Sequence, residues 1–465
     1  MKIFPKLLTF ALAALLAVSG CAGNKKLDPR TASFPVPAFT PPAIIEETLS
    51  GGAKVFLLPD RDIPLVRVYL SFRGGAIFDP PEKAGLSQVT GIAWRSGGTL
   101  ARTPSEFDDL ADSLAIEVGL SLGRQTGAAH LDVLSRDLET GLDLLAELLF
   151  TPAFGEERLA LAMEQVKGTV LREEENPEAL VFREFRRAMY RGTPRGVVPT
   201  VATVEAITRE DAQKLHGELL KNSAWVIGVV GDFDPEAMKT LLEKRFGSLP
   251  GEGPSFIPPP PPAEPEPTMI VVPGKPGQAT LLWADLAPSL ESPQKTPLDL
   301  ADYLLGGGGF QSRLMRRIRT DEGLSYSVSS FYSPFREFGV AGVSGQTSSQ
   351  NLPKVWEIMA EEMKALSSDG VSEEELSRAK ESMANSQIFR YRDNASILQR
   401  RMGLSLIGLP PDLAEKQFEE LKATGREAVR EAAKVYRPDS GILVVIGEVE
   451  EKNEVFRGFR VIKAE

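Results

Sequence analysis

One cysteine and two histidines among 465 residues remove several chemistries at once. With Cys21 as the only cysteine, no internal disulfide can form. His130 and His216 stand far apart, and no His-x-x-x-His, Cys-x-x-Cys or Glu-x-x-His pair occurs. There is therefore no local zinc signature, and each lone histidine reads as structural. Positive charge is also short: 53 Lys and Arg stand against 64 Asp and Glu, a net charge of −11. That balance argues against nucleic acid as a partner, which needs a basic face. It suits cationic peptides, although a negative balance usually reports only solubility. Past Val18 no apolar run is long enough to span a bilayer. The glycine run Gly306, Gly307, Gly308 and Gly309 lacks the Lys-Ser/Thr that follows in a phosphate-binding loop, so it does not read as one.

What is present begins at the N-terminus. Lys2 and Lys6 precede a short apolar stretch, Leu7 to Val18, and then Ser19, Gly20 and Cys21. This is the layout of an export signal, too short for a membrane span. Val18-Ser19-Gly20-Cys21 resembles a bacterial lipobox, in which the cysteine is lipidated and becomes the first mature residue. The alternative is a plain export signal with an incidental cysteine. The expectation is a lipoprotein signal over 1–20, lipidation at Cys21 and a Pro-rich tether over 21–42. The body would then be held by lipid at the bacterial cell envelope. The sequence does not say which bilayer holds the anchor; Ala22 does not suggest inner-membrane retention, and the expected location is the periplasmic face of the outer membrane.

The remaining chain alternates strands and helices. Val66 to Phe72 alternates cleanly, Ile116–Leu122 and Ala128–Leu134 read as a hairpin, and Trp225–Gly231 is apolar throughout, as a central strand is. Helical patterns run near 83–95, 156–174, 177–190, 209–220 and 235–246. Residues 251–267 hold five consecutive prolines and no core-forming pattern, the mark of a semi-rigid linker. The second half repeats the first. Ala206-Ile207-Thr208-Arg209-Glu210 leads through a helix to a strand ending at Gly231, and Ala423-Thr424-Gly425-Arg426-Glu427 leads likewise to Gly447. The near-constant offset implies two copies of one α+β unit. The expected architecture is two homologous domains, 43–250 and 268–465. Each is a mainly antiparallel sheet layered with helices, and the two face each other across a cleft.

The stretch Gly306–Tyr332 concentrates the remaining signals. The glycine-rich loop of Gly306, Gly307, Gly308 and Gly309 ends one helix and opens another, basic and amphipathic, with Leu314 and Ile318 on one face. Gly323 stops that second helix. Strand alternation then places Leu324, Tyr326 and Val328 on one face and Ser325, Ser327 and Ser329 on the other. Arg319 and Tyr326 are thereby brought near each other at a sheet rim. Their bland readings are a cation favoured by the helix dipole and a core tyrosine.

This stretch, with Arg319-Thr-Asp-Glu-Gly-Leu-Ser-Tyr326 at its centre and the two-copy layout around it, resembles the pitrilysin/insulinase family of zinc metallopeptidases, nearest its mitochondrial-processing-peptidase-like bacterial group. The resemblance covers nearly the whole chain after the tether. It implies that Arg319 and Tyr326 contact a substrate backbone and help polarise the scissile carbonyl. The family's His-x-x-Glu-His helix falls on Ala84–Ile92. In register, Gln88 replaces the first ligand, Gly91 the base and Ile92 the second ligand. The distal glutamate falls near Thr169, and Glu164 on the same helix is a lone carboxylate. No metal ligand set and no catalytic residue acting alone is therefore expected, and zinc would belong to a partner.

Two functions follow. One is a non-catalytic subunit that binds unstructured peptides and supplies Arg319 and Tyr326 to a zinc-bearing partner of the same family. The other is a membrane-anchored peptide-binding or scaffold lipoprotein with no proteolytic role. An independent peptidase with an unusual metal site is a third, weaker reading.

Overall fold

The computed structural model describes residues 42–463 apart from 261, 264, 451 and 452. The expected export signal, Cys21 and the expected tether up to residue 41 lie outside the described residues. The first lobe carries strands β1 (Ile45–Thr48), β2 (Lys54–Pro59), β3 (Leu65–Arg73), β4 (Glu117–Leu122), β5 (Thr126–Leu134) and β6 (Trp225–Gly231). They form one sheet in the order β1-β2-β6-β3-β5-β4. Between and after them run helices α1 (Leu86–Ser96), α2 (Pro104–Ser113), α3 (Leu138–Phe150), α4 (Glu156–Glu175), α5 (Pro177–Met189), α6 (Val201–Glu205), α7 (Arg209–Asn222) and α8 (Pro235–Phe246).

The second lobe repeats this plan with β7 (Thr268–Val272), β8 (Gln278–Ala287), β9 (Ser327–Pro334), β10 (Gly339–Ser348), β11 (Ile442–Gly447) and β12 (Arg460–Lys463), ordered β12-β7-β11-β8-β10-β9. Its helices are α9 (Lys295–Asp302), α10 (Leu352–Ser368), α11 (Glu373–Ser386), α12 (Asn394–Leu406), α13 (Leu413–Ala423) and α14 (Arg426–Ala432). Five strands of each sheet correspond one to one in chain order. The sixth strand comes from opposite ends of the described chain, β1 in one sheet and β12 in the other. Both sheets are mixed, because β2 runs parallel to β6 and β7 parallel to β11, while β6 and β11 run antiparallel to β3 and β8.

The duplication reaches single dihedral angles. Gly231 and Gly447, which end the matched strands β6 and β11, sit at φ 134° and 133°. A Cβ at either would stand 2.0 Å from the Leu65 carbonyl oxygen or 2.3 Å from that of Gln278, the first residues of β3 and β8. Only glycine tolerates that combination of angle and approach.

Each sheet buries one face under its own helices. Val66, Val68, Leu70 and Phe72 of β3 meet Trp94, Trp225 and Phe246 in the first lobe. Leu281, Trp283, Trp356 and Val445 do the same in the second. The other faces are covered by exchange. Helix α5 of the first lobe lays Val181, Phe185 and Met189 on Ile270, Leu282, Val340 and Val444 of the second sheet. Helix α12 of the second lobe lays Leu398, Met402 and Leu406 on Phe56, Leu58, Val226 and Val230 of the first. Each fully buried side chain of this kind contributes roughly 1.5–3 kcal/mol, so the two exchanged helices bind the lobes together. Hollows remain between the lobes; one, about 1230 Å³, has Phe78, Arg191 and Phe256 on one side and Ile270 and Ile462 on the other.

Candidate functional site

The Gly306–Tyr332 stretch folds around two wide π-helical turns, Tyr303–Gly307 and Met315–Asp321. Such turns are rare and often mark functional sites. The expected glycine-rich loop is therefore not a loop. Gly306 and Gly307 close the first wide turn, and Gly308 caps it, its N–H donating to the Tyr303 carbonyl at 2.8 Å. Gly309, at φ 65°, then opens a single 3₁₀ turn, Gly309–Gln311. The run serves packing. A Cβ on Gly306 would stand 2.3 Å from the backbone nitrogen of Ser330, so the first turn lies directly against β9. A Cβ on Gly308 would stand 2.6 Å from the Tyr303 carbonyl oxygen, which ties the cap to the turn it ends. In the second wide turn, Leu314 and Ile318 are fully buried, as their spacing predicts. Two of the arginines beside them are committed to the fold. Arg313 pairs with Glu375 (3.2 Å) and donates to the Gly370 carbonyl (2.9 Å). Arg317 pairs with Glu362 (2.9 Å) and Glu361 (2.5 Å).

Arg319 is different. Its guanidinium lies 4.2 Å from the ring centre of Tyr326 and 4.7 Å from that of Phe310. Both rings are largely exposed, Tyr326 at 80% and Phe310 at 68%. Among the described residues Arg319 forms no ion pair or hydrogen bond. A cation held by two aromatic faces gains ~0.5–1 kcal/mol per contact at an exposed site, and its N–H edge stays open. The stack therefore presents fixed donors, a guanidinium edge and a phenol, suited to an acceptor oxygen.

The strand reading of Tyr326 needs correction. β9 begins only at Ser327, and Leu324 to Tyr326 are irregular. Ser325 turns inward instead, its hydroxyl within 2.8 Å of the Ser327 carbonyl and 2.5 Å of that of Gln346. Leu324 and Val328 pack against the core, but Tyr326 is thrown outward and does not share their face. It is not a core tyrosine. Ser327 stands opposite Gln346, whose side chain donates to Glu178 of α5 at 3.4 Å. The pair thus sits next to a seam between the lobes.

The block that matches the zinc helix forms α1. Asp79, 5% exposed, receives the backbone N–H groups of Gly85 and Ser87 (both 3.1 Å) and the Ser87 hydroxyl (2.5 Å), and so caps the start of that helix. Burial pushes its carboxyl up to about 6, against the pull of those hydrogen bonds. Gln88 points to solvent. Gly91 is pressed against β4, where a Cβ would meet the Leu122 nitrogen at 3.0 Å. Ile92 lines a hollow of about 330 Å³ with Leu120, Arg158, Leu161 and Gln165. Thr169 is not in that lining; its hydroxyl donates to the Gln165 carbonyl (3.0 Å). Glu164 is paired with Lys167 (2.7 Å).

An exposed amide, a missing side chain and an alkyl group do not make a zinc donor set. No group of three or more His, Cys, Asp or Glu that could hold a metal ion occurs among the described residues. Arg95 also takes the Val118 carbonyl of β4 (2.7 Å) and pairs with Asp108 (3.0 Å). The Ile92 hollow is lined by first-lobe residues alone, without Arg319 or Tyr326. The fold joins Arg319 to Tyr326, and neither lines the hollow at Ile92.

Gly119–Gly123 has the Gly-x-Ser-x-Gly spacing of a nucleophile elbow. It lies in β4 paired antiparallel with β5, not at a strand-to-helix turn, and so lacks the exposed kink an elbow requires. His130 lies over Gly119 with its Nε2 3.6 Å from Glu117, and among the described residues no hydrogen bond joins it to Ser121. His216 is structural, as its isolation suggests: Nε2 meets the Leu149 carbonyl at 2.8 Å and the ring stands edge-on to Trp94.

Comparison with known proteins places this geometry. Residues 54–198 match the family model described as insulinase (peptidase family M16), and residues 206–383 match that of the peptidase M16 inactive domain. An uncharacterized zinc protease of Rickettsia bellii is 26% identical over 319 residues, 68% of this chain and 76% of its own length. The non-peptidase homolog YmxG of Helicobacter pylori is 21% identical over 398 residues, 84% and 91% of the two chains. The crystal structure of a peptidase M16 inactive domain from Pseudomonas fluorescens superposes with a TM-score of 0.78 at 23% identity, over 87% of this chain and 98% of that one. That likeness extends the shared architecture over both lobes. With two lobes of this fold, two matched models in series and the glycine-run stretch in its expected place, the chain belongs to the insulinase (peptidase M16) family.

Proposed function

We propose that this chain is a non-catalytic insulinase-family subunit that grips peptides and completes the active site of a zinc-bearing partner of the same family. The carrying observation is the exposed Phe310–Arg319–Tyr326 stack, whose cation forms no hydrogen bond or ion pair among the described residues. A guanidinium held with its donors free is preorganised for a carbonyl oxygen that gains charge during hydrolysis. The degenerate α1 block supports the division of labour, because it offers no donor set for the metal. The naming of one matched model as an inactive domain, and of one relative as a non-peptidase homolog, agrees with it. Zinc would enter only with the partner. The body would stand on the cell envelope through lipid on Cys21; Cys21→Ser should move the protein from the membrane to the soluble fraction.

The test is reconstitution. The chain alone should leave an unstructured peptide intact, and a mixture with a zinc-bearing insulinase-family subunit should cleave it. Tyr326→Phe should slow the mixture ~100-fold, the usual loss for one transition-state donor. Equal rates with and without this chain would overturn the reading in favour of a membrane-anchored peptide-binding scaffold with no part in proteolysis.

A further inference from the structure

A second hollow between the lobes, about 500 Å³, is built unlike the rest of the interface. Its volume falls within the range of about 300–1,000 Å³ typical of ligand sites. Arg124 enters from the β4–β5 turn, Arg186 from α5 and Arg195 from the loop after it. Phe182, Phe185 and Tyr190 of the first lobe and Phe331 and Phe335 of the second provide aromatic walls. Ser329, Ser333 and Ser344 add hydroxyls along β9 and β10. In a chain of net charge −11, three guanidinium groups at one end of one hollow form a local reversal of sign.

Their partners are incomplete. Arg195, 2% exposed, gives its Nη2 to Glu337 (3.2 Å) and to the Pro259 carbonyl (3.3 Å) and stacks on Phe335 and Phe338. Its buried Nε has no hydrogen-bond partner among the described residues. Among the described residues Arg124 reaches only a neutral acceptor, the carbonyl of Arg195 (3.2 Å). Arg186 makes no hydrogen bond or ion pair among the described residues. Glu173 attracts both Arg124 and Arg186 from beyond ion-pairing distance. The one carboxylate in the lining, Glu178, lies two helical turns from Arg186 and accepts from Gln346. Burial, followed by the like charges of Arg186 and Arg195, pushes the Arg124 guanidinium down to about 10. An anion between Arg124 and Arg186 would relieve that repulsion.

We propose that this hollow binds the free C-terminal carboxylate of a peptide, with Arg124 and Arg186 on the carboxylate and the apolar last side chain against Phe182, Phe331 and Phe335. A bare inorganic anion would leave the aromatic walls uncovered, and an apolar molecule without charge would leave the guanidinium groups unpaired. The serine hydroxyls suit the amides of the preceding residues; among the described residues the Ser329 and Ser344 hydroxyls meet only each other, at 3.3 Å. A carboxylate accepts two parallel donors from a guanidinium, which a lone amide oxygen cannot. The proposal rests on the reading that this chain grips peptides, and it assigns that grip to peptide ends.

The experiment uses the full chain without any partner and a fluorescein-labelled tetrapeptide ending in phenylalanine, read by anisotropy. Three probes are compared: the free acid, its C-terminal amide, and an amide with glutamate in place of the last residue. The free acid should bind at least ~10-fold more tightly than either amide, the step expected for a charge-assisted pair. Arg186→Gln should abolish that preference, and Arg186→Lys should keep part of it. Equal affinity for acid and amide on the unaltered chain would overturn the proposal, and so would an unchanged preference in Arg186→Gln. A glutamate amide as tight as the free acid would overturn the assignment to peptide ends. Because no zinc-bearing subunit is present, failure here is separate from failure of the cleavage assay.

Discussion

Asp79 sits where a helix N-terminus needs an acceptor, but nearly out of reach of water. Its folded value of about 6 lies above the usual 3.8, so the folded state favours the protonated form. Its contribution to stability is therefore full below about pH 4 and is lost as pH rises through about 6. At ~1.4 kcal/mol per unit, the loss is at most about 3 kcal/mol. Asp79→Asn cannot ionise and should start below wild type at pH 4, having lost part of the cap, by ~1 kcal/mol. The gap should narrow or reverse by pH 7 in urea titrations at each pH. A gap independent of pH would show that burial does not hold this carboxyl up. Single residues were also where the sequence was hardest to read. Alternation placed Tyr326 in the core because it cannot register that Ser325 has an inward hydrogen-bond partner twenty-one residues away. Gly91, by contrast, was legible as a missing base, though not as the residue that lets α1 press on Leu122.

At the scale of elements, period and punctuation carried most of the information. Helix α4 ends at Glu175, where the acidic run meets Asn176-Pro177, and α5 starts there because the Asn176 side chain accepts from Glu178 and Ala179. The four glycines from Gly306 to Gly309 were legible as punctuation, but not as a wide turn and its cap, because that geometry depends on how closely β9 approaches. What α5 covers was not legible either: its apolar stripe is the same whether it packs on its own sheet or on the other lobe's. The pairing of α1 with α4 decides whether the lost zinc motif can be rebuilt. Gln88→His, Gly91→Glu and Ile92→His together restore the family's letters, but α4 still offers Arg158, Leu161 and Gln165 to the hollow at Ile92. A cation and an amide there do not complete a zinc site. The triple variant should retain less than one equivalent of zinc after dialysis. The glutamate side chain placed at position 91 must also displace β4, at a cost of ~1–3 kcal/mol. Stoichiometric zinc in that variant would mean that two histidines and solvent suffice.

For the molecule as a whole, the duplication was readable from paired strand ends such as Gly231 and Gly447, because a backbone angle that only glycine accepts leaves the same letter in both copies. The exchange of helices leaves no such letter, yet it decides how the lobes cohere. Leu398 is the sharpest probe of it. It is fully buried, it belongs by chain to the second lobe, and it packs on Gly228 in the middle of the first lobe's sheet, where even a Cβ would come within 3.1 Å of it. Leu398→Ala should cost about 2–5 kcal/mol, the range for a leucine cavity that cannot collapse. Leu145→Ala removes an equally buried side chain from the first lobe's own core and should cost a similar amount. The two should differ in kind. Losing Leu398 weakens the helix that the second lobe lends to β6 and β3, so heat should separate the melting of the two lobes. Losing Leu145 should lower one shared transition. If Leu398→Ala melts in a single transition at the wild-type temperature, the lobes are held by something other than the exchanged helices.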